Sequence, residues 1–167
     1  SGRVVEDLAG NDLLARGADV QHRDESGSTA LHHAAANGSR HAIDALAAAA
    51  AANDRLVGCL VQVSLDDDRQ RRLGRGGVSA DQVMDLADRI AARSRLQLLG
   101  VMAVAPLDAD PAVAFDRLAG VAAAVRIRHP GASWVSAGMS EGVEAAIAAG
   151  ATHLRVGSAI LGRRATA

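Results

Sequence analysis

The stretch Ser133-Trp-Val-Ser-Ala-Gly-Met-Ser140 decides the fold class of this chain. Its first five residues, Ser133–Ala137, form a short and mostly apolar run, which is typical of a strand buried on both faces. The run passes directly into a Gly/Ser turn, which predicts a helix that opens at Ser140 and ends at Gly150. A strand joined to a helix by a short glycine turn is the repeating unit of a parallel α/β sheet.

The same unit recurs along the chain. Three further apolar runs predict strands at Val57–Leu65, Leu98–Val104 and His153–Val156. One predicted helix covers Ser79–Ala92, and its first residue with Gln82 has the spacing of a capping box. Another has Asp110 as its N-cap and Pro111 as its first residue, and it stops at His129-Pro130-Gly131. We therefore predict an α/β fold of about four parallel strands with covering helices.

Composition excludes several classes of function. All 18 basic residues are arginine, so no lysine side chain is present for covalent amine chemistry. The formal charge of −1 creates no field that favours nucleic acid or an anionic membrane. No apolar run approaches the roughly 20 residues that a membrane span requires, and we expect a cytoplasmic protein. The single cysteine, Cys59, lies in an apolar run and is interpreted as a buried apolar residue.

Two glycine-serine corners indicate a phosphate site. They lie at Ser136–Ser140 and within Leu154–Gly162, where backbone N–H groups and small hydroxyls could converge on an anion. Arg155, inside an otherwise apolar run, requires a partner if it is buried. The alternative is that glycine and serine only terminate strands. The six histidines show no metal-ligand spacing, and no Ser-His-Asp arrangement is evident, so we predict neither a metal site nor a catalytic triad.

The N-terminal part has a different pattern. Leu13–Val20 and Ser28–Gly38 resemble an ankyrin repeat, and the resemblance covers roughly residues 4–50. A lone repeat cannot bury its own apolar face, so we expect this segment to pack on the α/β part or on another chain. The predicted organisation is an ankyrin-like helical segment at 1–50, including a helix from Ser39 into the alanine run, followed by an α/β part at 54–167.

Residues from about 54 to 164 resemble the C-terminal half of the pyridoxal phosphate homeostasis protein family, the YggS type. The resemblance is carried, in chain order, by Val61–Ser64, Gly76–Val78, Leu99–Pro106, Ser136–Ser140, Glu144–Thr152 and Leu154–Gly162. It implies half of a TIM-like barrel with the alanine racemase-like N-terminal fold, contributing strands five to eight. It also implies a non-catalytic protein that binds and buffers pyridoxal 5′-phosphate.

The same resemblance assigns cofactor-binding residues. It places the phosphate against Ser140 with the backbone of Gly138 and Met139, and against Gly157 and Ser158. It places Arg155 at the pyridine nitrogen and Met102 near the ring. A guanidinium does not give up its proton, so such an arrangement keeps the ring nitrogen as an acceptor and weakens the electron sink that pyridoxal enzymes use.

The chain departs from the family at the lysine that holds the aldehyde, because the first four strands, including the one that carries this lysine, have no counterpart here. We therefore expect non-covalent and weak binding at best, in a fragmentary or chimeric protein. Two alternatives stay open: an ankyrin-type protein-interaction module on a half-barrel scaffold, and a half-barrel that binds phosphorylated metabolites in general. Half a barrel leaves open sheet edges, so we also predict self-association, or protection of the edges by the N-terminal helices.

Overall fold

The computed structural model describes residues 40–66, 76–106, 109–139 and 142–156. This part is α/β, as predicted. In chain order the elements are α1 (Arg40–Ala52), β1 (Val57–Gln62), a 3₁₀ turn (Ala80–Gln82), α2 (Val83–Ala91), β2 (Leu96–Met102), α3 (Pro111–Arg128), β3 (Trp134–Ser136) and α4 (Val143–Ala148). The helix predicted in the alanine run is α1. The proposed ankyrin repeat, apart from that helix, lies outside the described residues.

The described strands form one parallel sheet in the order β1-β2-β3. The fourth predicted strand, His153–Val156, is present only as a parallel bridge between Ser136 and His153. It follows the edge of β3, where Ala137 donates its N–H to the carbonyl of His153 at 3.1 Å. The run therefore occupies the fourth position of the sheet with one bridge instead of a full strand.

A bulge changes the register between β1 and β2. Cys59 pairs with Leu98 while the following Leu60 pairs with Gly100, so Leu99 is an extra residue in β2. Because side chains alternate between faces, the extra residue reverses which β2 positions face the helices. The β2 residues buried on that face are Leu96 and Leu98 before the bulge and Val101 after it.

The two faces of the sheet differ in how they are covered. In-register neighbours of a parallel sheet share a face, and Val61, Val101 and Val135 form one such row, which is buried in the core. The core on this side is completed by apolar residues of α2 and α3, among them Val83, Leu86, Ile90, Phe115, Leu118 and Val125. Gln62, Met102 and Ser136 form the opposite row, and we call their side of the sheet the inner face.

Helix ends follow the sequence with two corrections. The Asp110 carboxylate accepts the N–H of Ala112 at 2.9 Å and caps α3 as predicted. The capping box at Ser79 is wrong, because the Ser79 hydroxyl bonds the side chain of Gln82 at 3.0 Å and no side chain caps the backbone there. The helix predicted to open at Ser140 begins later, with Gly142 as its N-cap.

A polar cluster joins α2 to the end of α3. Asp88 accepts hydrogen bonds from Arg128 Nε at 2.7 Å and contacts His129 Nε2 at 2.8 Å through the same carboxylate oxygen. The hydrogen bond from Arg128, supported by that of His129, holds the pKa of Asp88 below its usual value. The contact fixes the two helices against each other at the surface.

The outer edge of β1 is protected at one end by the chain itself. Val78 pairs in parallel with Val63, and Ser64 donates its N–H to the carbonyl of Val78 at 2.8 Å. Within the described residues β1 is an edge strand of the sheet, and protection of that edge by the N-terminal helices stays a prediction. Among the described helices, none has the length and apolar character to cross a bilayer.

Candidate functional site

The candidate site lies where the carboxyl ends of β2 and β3 meet. Arg155 lies at these strand ends because His153 pairs in parallel with Ser136 of β3, so the residues that follow His153 run along the edge of β3. The backbone N–H of Arg155 then donates to the carbonyl of Gly138 at 3.1 Å, which fixes the start of its side chain. The carboxyl ends of parallel strands are where α/β barrels hold their ligands.

The Arg155 guanidinium crosses from the fourth sheet position to β3 and β2. Its Nη1 donates to the Ser136 carbonyl at 3.1 Å and to the Ser136 Oγ at 2.8 Å. Its Nη2 donates to the carbonyl of Ala103, which directly follows β2, at 2.8 Å. These bonds use three of the five guanidinium N–H donors and leave the Nε–H and one Nη2–H without a partner among the described residues.

Burial shapes the electrostatics of this group. Arg155 is half-buried, and desolvation lowers its pKa from the ordinary arginine value. A guanidinium stays protonated in proteins, so the site keeps one positive charge, and its bonded neighbours Ser136 and Ala103 contribute no carboxylate. The arrangement can therefore present a fixed cationic donor to an acceptor or an anion at the strand ends.

The two predicted corners begin side by side, as a shared site requires. The bridge between Ser136 and His153 and the bond from Arg155 to Gly138 hold their first residues together. Gly138 has φ of +82°, and a Cβ there would stand 2.7 Å from the Cβ of Ala146. Glycine is required for this turn, because a side chain would push the first corner away from α4.

The other predicted site residues divide into two groups. Met102, the last residue of β2, is half-buried next to the carbonyl that holds Arg155, and Met139 has 48% of its surface exposed in the first corner. The structure thus brings Met102, Gly138 and Arg155 to one end of the sheet. Ser140, Gly157 and Ser158, the residues predicted to hold a phosphate, lie outside the described residues.

Two serines at the strand ends were not in the predicted set. Ser136 is only 5% exposed, and it supplies two of the three acceptors for Arg155. Ser64 follows β1 and is 6% exposed, with no hydrogen-bond partner for its Oγ among the described residues. The need of a buried arginine for a partner is a signal that could have led to Ser136, although the sequence did not name that partner, and no sequence pattern marks Ser64.

In the part of the chain that the structure describes, the other chemistry-bearing residues do not form a second site. Cys59 is half-buried instead of fully buried, its Sγ lies 3.6 Å from the carbonyl of Val57, and burial raises the pKa of its thiol. Asp66, which lies shortly after β1, is buried. Across the described ranges, no group of three or more His, Cys, Asp or Glu side chains could hold a metal ion.

The fold and the site define a class of protein. Residues 22–165 match the family model described as alanine racemase, N-terminal domain, and the chain therefore belongs to that family. This is the TIM-like fold that the sequence predicted for the α/β part. The match begins at residue 22, inside the segment that resembles an ankyrin repeat, so the resemblance to the barrel family extends well upstream of residue 54.

Within this family, the similar curated proteins are named pyridoxal phosphate homeostasis protein. One from Mycobacterium tuberculosis is 38% identical over 98% of this chain and 59% of its own length. One from Escherichia coli K12 is 32% identical over 74% of this chain and 55% of its own length. The chain thus spans a little more than half the length of these relatives.

Solved structures share the fold. PipY from Synechococcus elongatus with PLP bound superposes with a TM-score of 0.62 at 24% identity, covering 74% of this chain and 57% of that one. A protein of unknown function from Bifidobacterium adolescentis gives a TM-score of 0.67 at 22% identity, covering 75% of this chain and 51% of that one. At these identities the likeness concerns the architecture alone.

Proposed function

We propose that this chain binds pyridoxal 5′-phosphate non-covalently at the carboxyl ends of β2 and β3 and acts as a non-catalytic binding protein in the homeostasis of that cofactor. The observation that carries the proposal is the Arg155 guanidinium, held at this place by Ser136 and Ala103, with two of its N–H groups unpaired among the described residues. The names of the curated relatives and the PLP bound to PipY support it.

The residues present are compatible with such a ligand. The leftover N–H groups of Arg155 suit an acceptor such as a pyridine nitrogen, and half-buried Met102 offers apolar contact to a flat ring beside it. The corner at Gly138 and Met139, together with Ser140, Gly157 and Ser158, would hold the phosphate. When bound, the cofactor brings an aldehyde and a pyridine ring, and none of the 167 residues offers a lysine amine to that aldehyde.

A titration tests the proposal. Adding pyridoxal 5′-phosphate to the protein while following the ligand's absorbance should give a saturable and reversible change. Pyridoxal without the phosphate should bind more weakly, and borohydride followed by mass spectrometry should leave no adduct on any side chain. Absence of saturation would overturn the proposal. Equal competition by inorganic phosphate would replace it with a site for phosphorylated metabolites in general.

We also propose that the protein self-associates through the sheet. The observation that favours this is the outer edge of β1: among the described residues it is paired only by Val78, at its carboxyl end, and Leu60 on the same strand is only half-buried. An unpaired parallel edge is a template for another strand. Sedimentation at micromolar concentration should reveal a dimer or larger species, whereas a strictly monomeric protein would contradict this proposal.

A further inference from the structure

Ser136 differs from the residues proposed to contact the cofactor, because its polar atoms are turned toward Arg155. Its carbonyl and its hydroxyl both accept from the same Nη1 atom, at 3.1 and 2.8 Å, and it is 5% exposed. A buried serine hydroxyl that accepts from a guanidinium makes a charge-assisted hydrogen bond, which is stronger and more directional than a neutral one.

The guanidinium of Arg155 is bound by acceptors at the ends of two neighbouring strands. Ser136 ends β3, and Ala103 follows β2, whose last residue pairs with Ser136 in the sheet. The carbonyl of Ala103 accepts from Nη2 at 2.8 Å while Ser136 accepts from Nη1. Acceptors on both terminal nitrogens hold the planar group in one orientation, and the sheet pairing fixes the acceptors.

We infer that Ser136 is a positioning residue: its hydroxyl sets the orientation of the Arg155 guanidinium, so that the Nε–H and the second Nη2–H point to one fixed place at the strand ends. The ligand-binding part of this inference rests on the proposed function, whereas the orientation of Arg155 does not. The backbone bond between Arg155 and Gly138 places the side chain, and Ser136 determines its final direction.

The consequence for a ligand is specific. The N–H donors of Arg155 already have a fixed direction before a ligand binds. Binding an acceptor therefore costs little additional side-chain entropy. Loss of the Ser136 hydroxyl leaves the charge of Arg155 and the Ser136 carbonyl in place, but it removes the shorter of the two bonds to Nη1. The terminal nitrogens are then held less firmly and should rotate faster. Affinity for a ligand with a directional acceptor should fall, while attraction of a simple anion should change little, because a point charge does not depend on orientation.

The variant that tests this is Ser136→Ala, with Ser133→Ala as its matched control, since Ser133 is exposed just before the same strand. The first measurement uses ligand-free protein labelled with ¹⁵N-arginine, and the Arg155 signals are assigned by their loss in Arg155→Met. In wild type and in Ser133→Ala the Nη protons of Arg155 should be resolved through slow rotation. In Ser136→Ala they should merge, and unchanged signals would overturn the inference.

The second measurement is the titration with pyridoxal 5′-phosphate. Ser136→Ala should bind about tenfold more weakly than wild type, and Ser133→Ala should match wild type. Merged signals together with unchanged affinity would overturn the ligand-binding part of the inference. If wild type binds no pyridoxal 5′-phosphate at all, the proposed function fails, and the rotation measurement alone still decides whether Ser136 orients Arg155.

Discussion

Gly100→Ala is expected to destabilise the fold by about 3 kcal/mol and to lower Tm by roughly 6 to 12 °C. Gly100 has φ of +154°, and a Cβ there would stand 1.9 Å from the carbonyl oxygen of Trp134 and 2.7 Å from its carbonyl carbon. These are backbone atoms of the neighbouring strand, so no side-chain rotation can relieve the clash. The pairing of β2 with β3 would have to open, or the bulge at Leu99 would have to rearrange.

The matched control is the same substitution where the chain has room. Gly120 lies within α3, and a Cβ there would meet nothing within 4 Å. Gly120→Ala should therefore stabilise the protein by about 1 kcal/mol, because alanine favours helix more than glycine does. Thermal and urea unfolding of the two variants beside wild type measure both effects. Equal stability of Gly100→Ala and wild type would show that β3 does not approach β2 as closely as described.

The same region shows what sequence could and could not predict. Apolar runs predicted four strands and three of them form, since burial on both faces requires such runs whatever the details of pairing. The bulge at Leu99 was not predictable, because the strand Leu96–Met102 contains too little polar alternation to reveal a change of face. Where one face of a strand is polar, a bulge interrupts the alternation of polar and apolar residues. In Leu96–Met102 that alternation is almost absent, so a bulge leaves no trace in the sequence.

The candidate site was predictable only in its chemistry. An arginine in an apolar run was expected to need a partner, and the structure supplies one in Ser136. The role of the Ala103 carbonyl as an acceptor could not be predicted from the sequence, because every residue carries a carbonyl. Only the pairing of the strands brings this carbonyl to Arg155. The strand at His153–Val156 was overpredicted, since apolar composition does not distinguish a full strand from a single bridge.

Arg155→Met should have a large effect on stability and on ligand binding together. Methionine keeps an unbranched apolar stem but removes all three donors to Ser136 and Ala103. For a half-buried side chain this loss should cost about 2 kcal/mol, or roughly 4 to 8 °C in Tm. Affinity for pyridoxal 5′-phosphate should fall by roughly 10- to 100-fold, because a charged hydrogen-bond donor to the ligand is lost.

Stability and binding must be separated in that experiment, because the same guanidinium ties three sheet positions together. Titrations should therefore be made well below the Tm of the variant, with its circular dichroism matched to that of wild type. Loss of stability with unchanged affinity would show that Arg155 is purely structural and would remove the main support for the proposed site. Unchanged stability would instead contradict the hydrogen bonds described here.

Arg155→Lys tests the orientation of the ligand, because it places one lysine in a chain that has none. The aldehyde of pyridoxal 5′-phosphate lies para to the ring nitrogen. If the ring nitrogen faces residue 155, the aldehyde points away from it, and the new amine cannot reach the aldehyde carbon. Borohydride treatment of Arg155→Lys with the cofactor should then leave residue 155 unmodified in mass spectrometry, while affinity falls because an ammonium lacks the planar fork of a guanidinium. A trapped adduct at residue 155 would show that the ring is reversed, with its aldehyde toward β2 and β3.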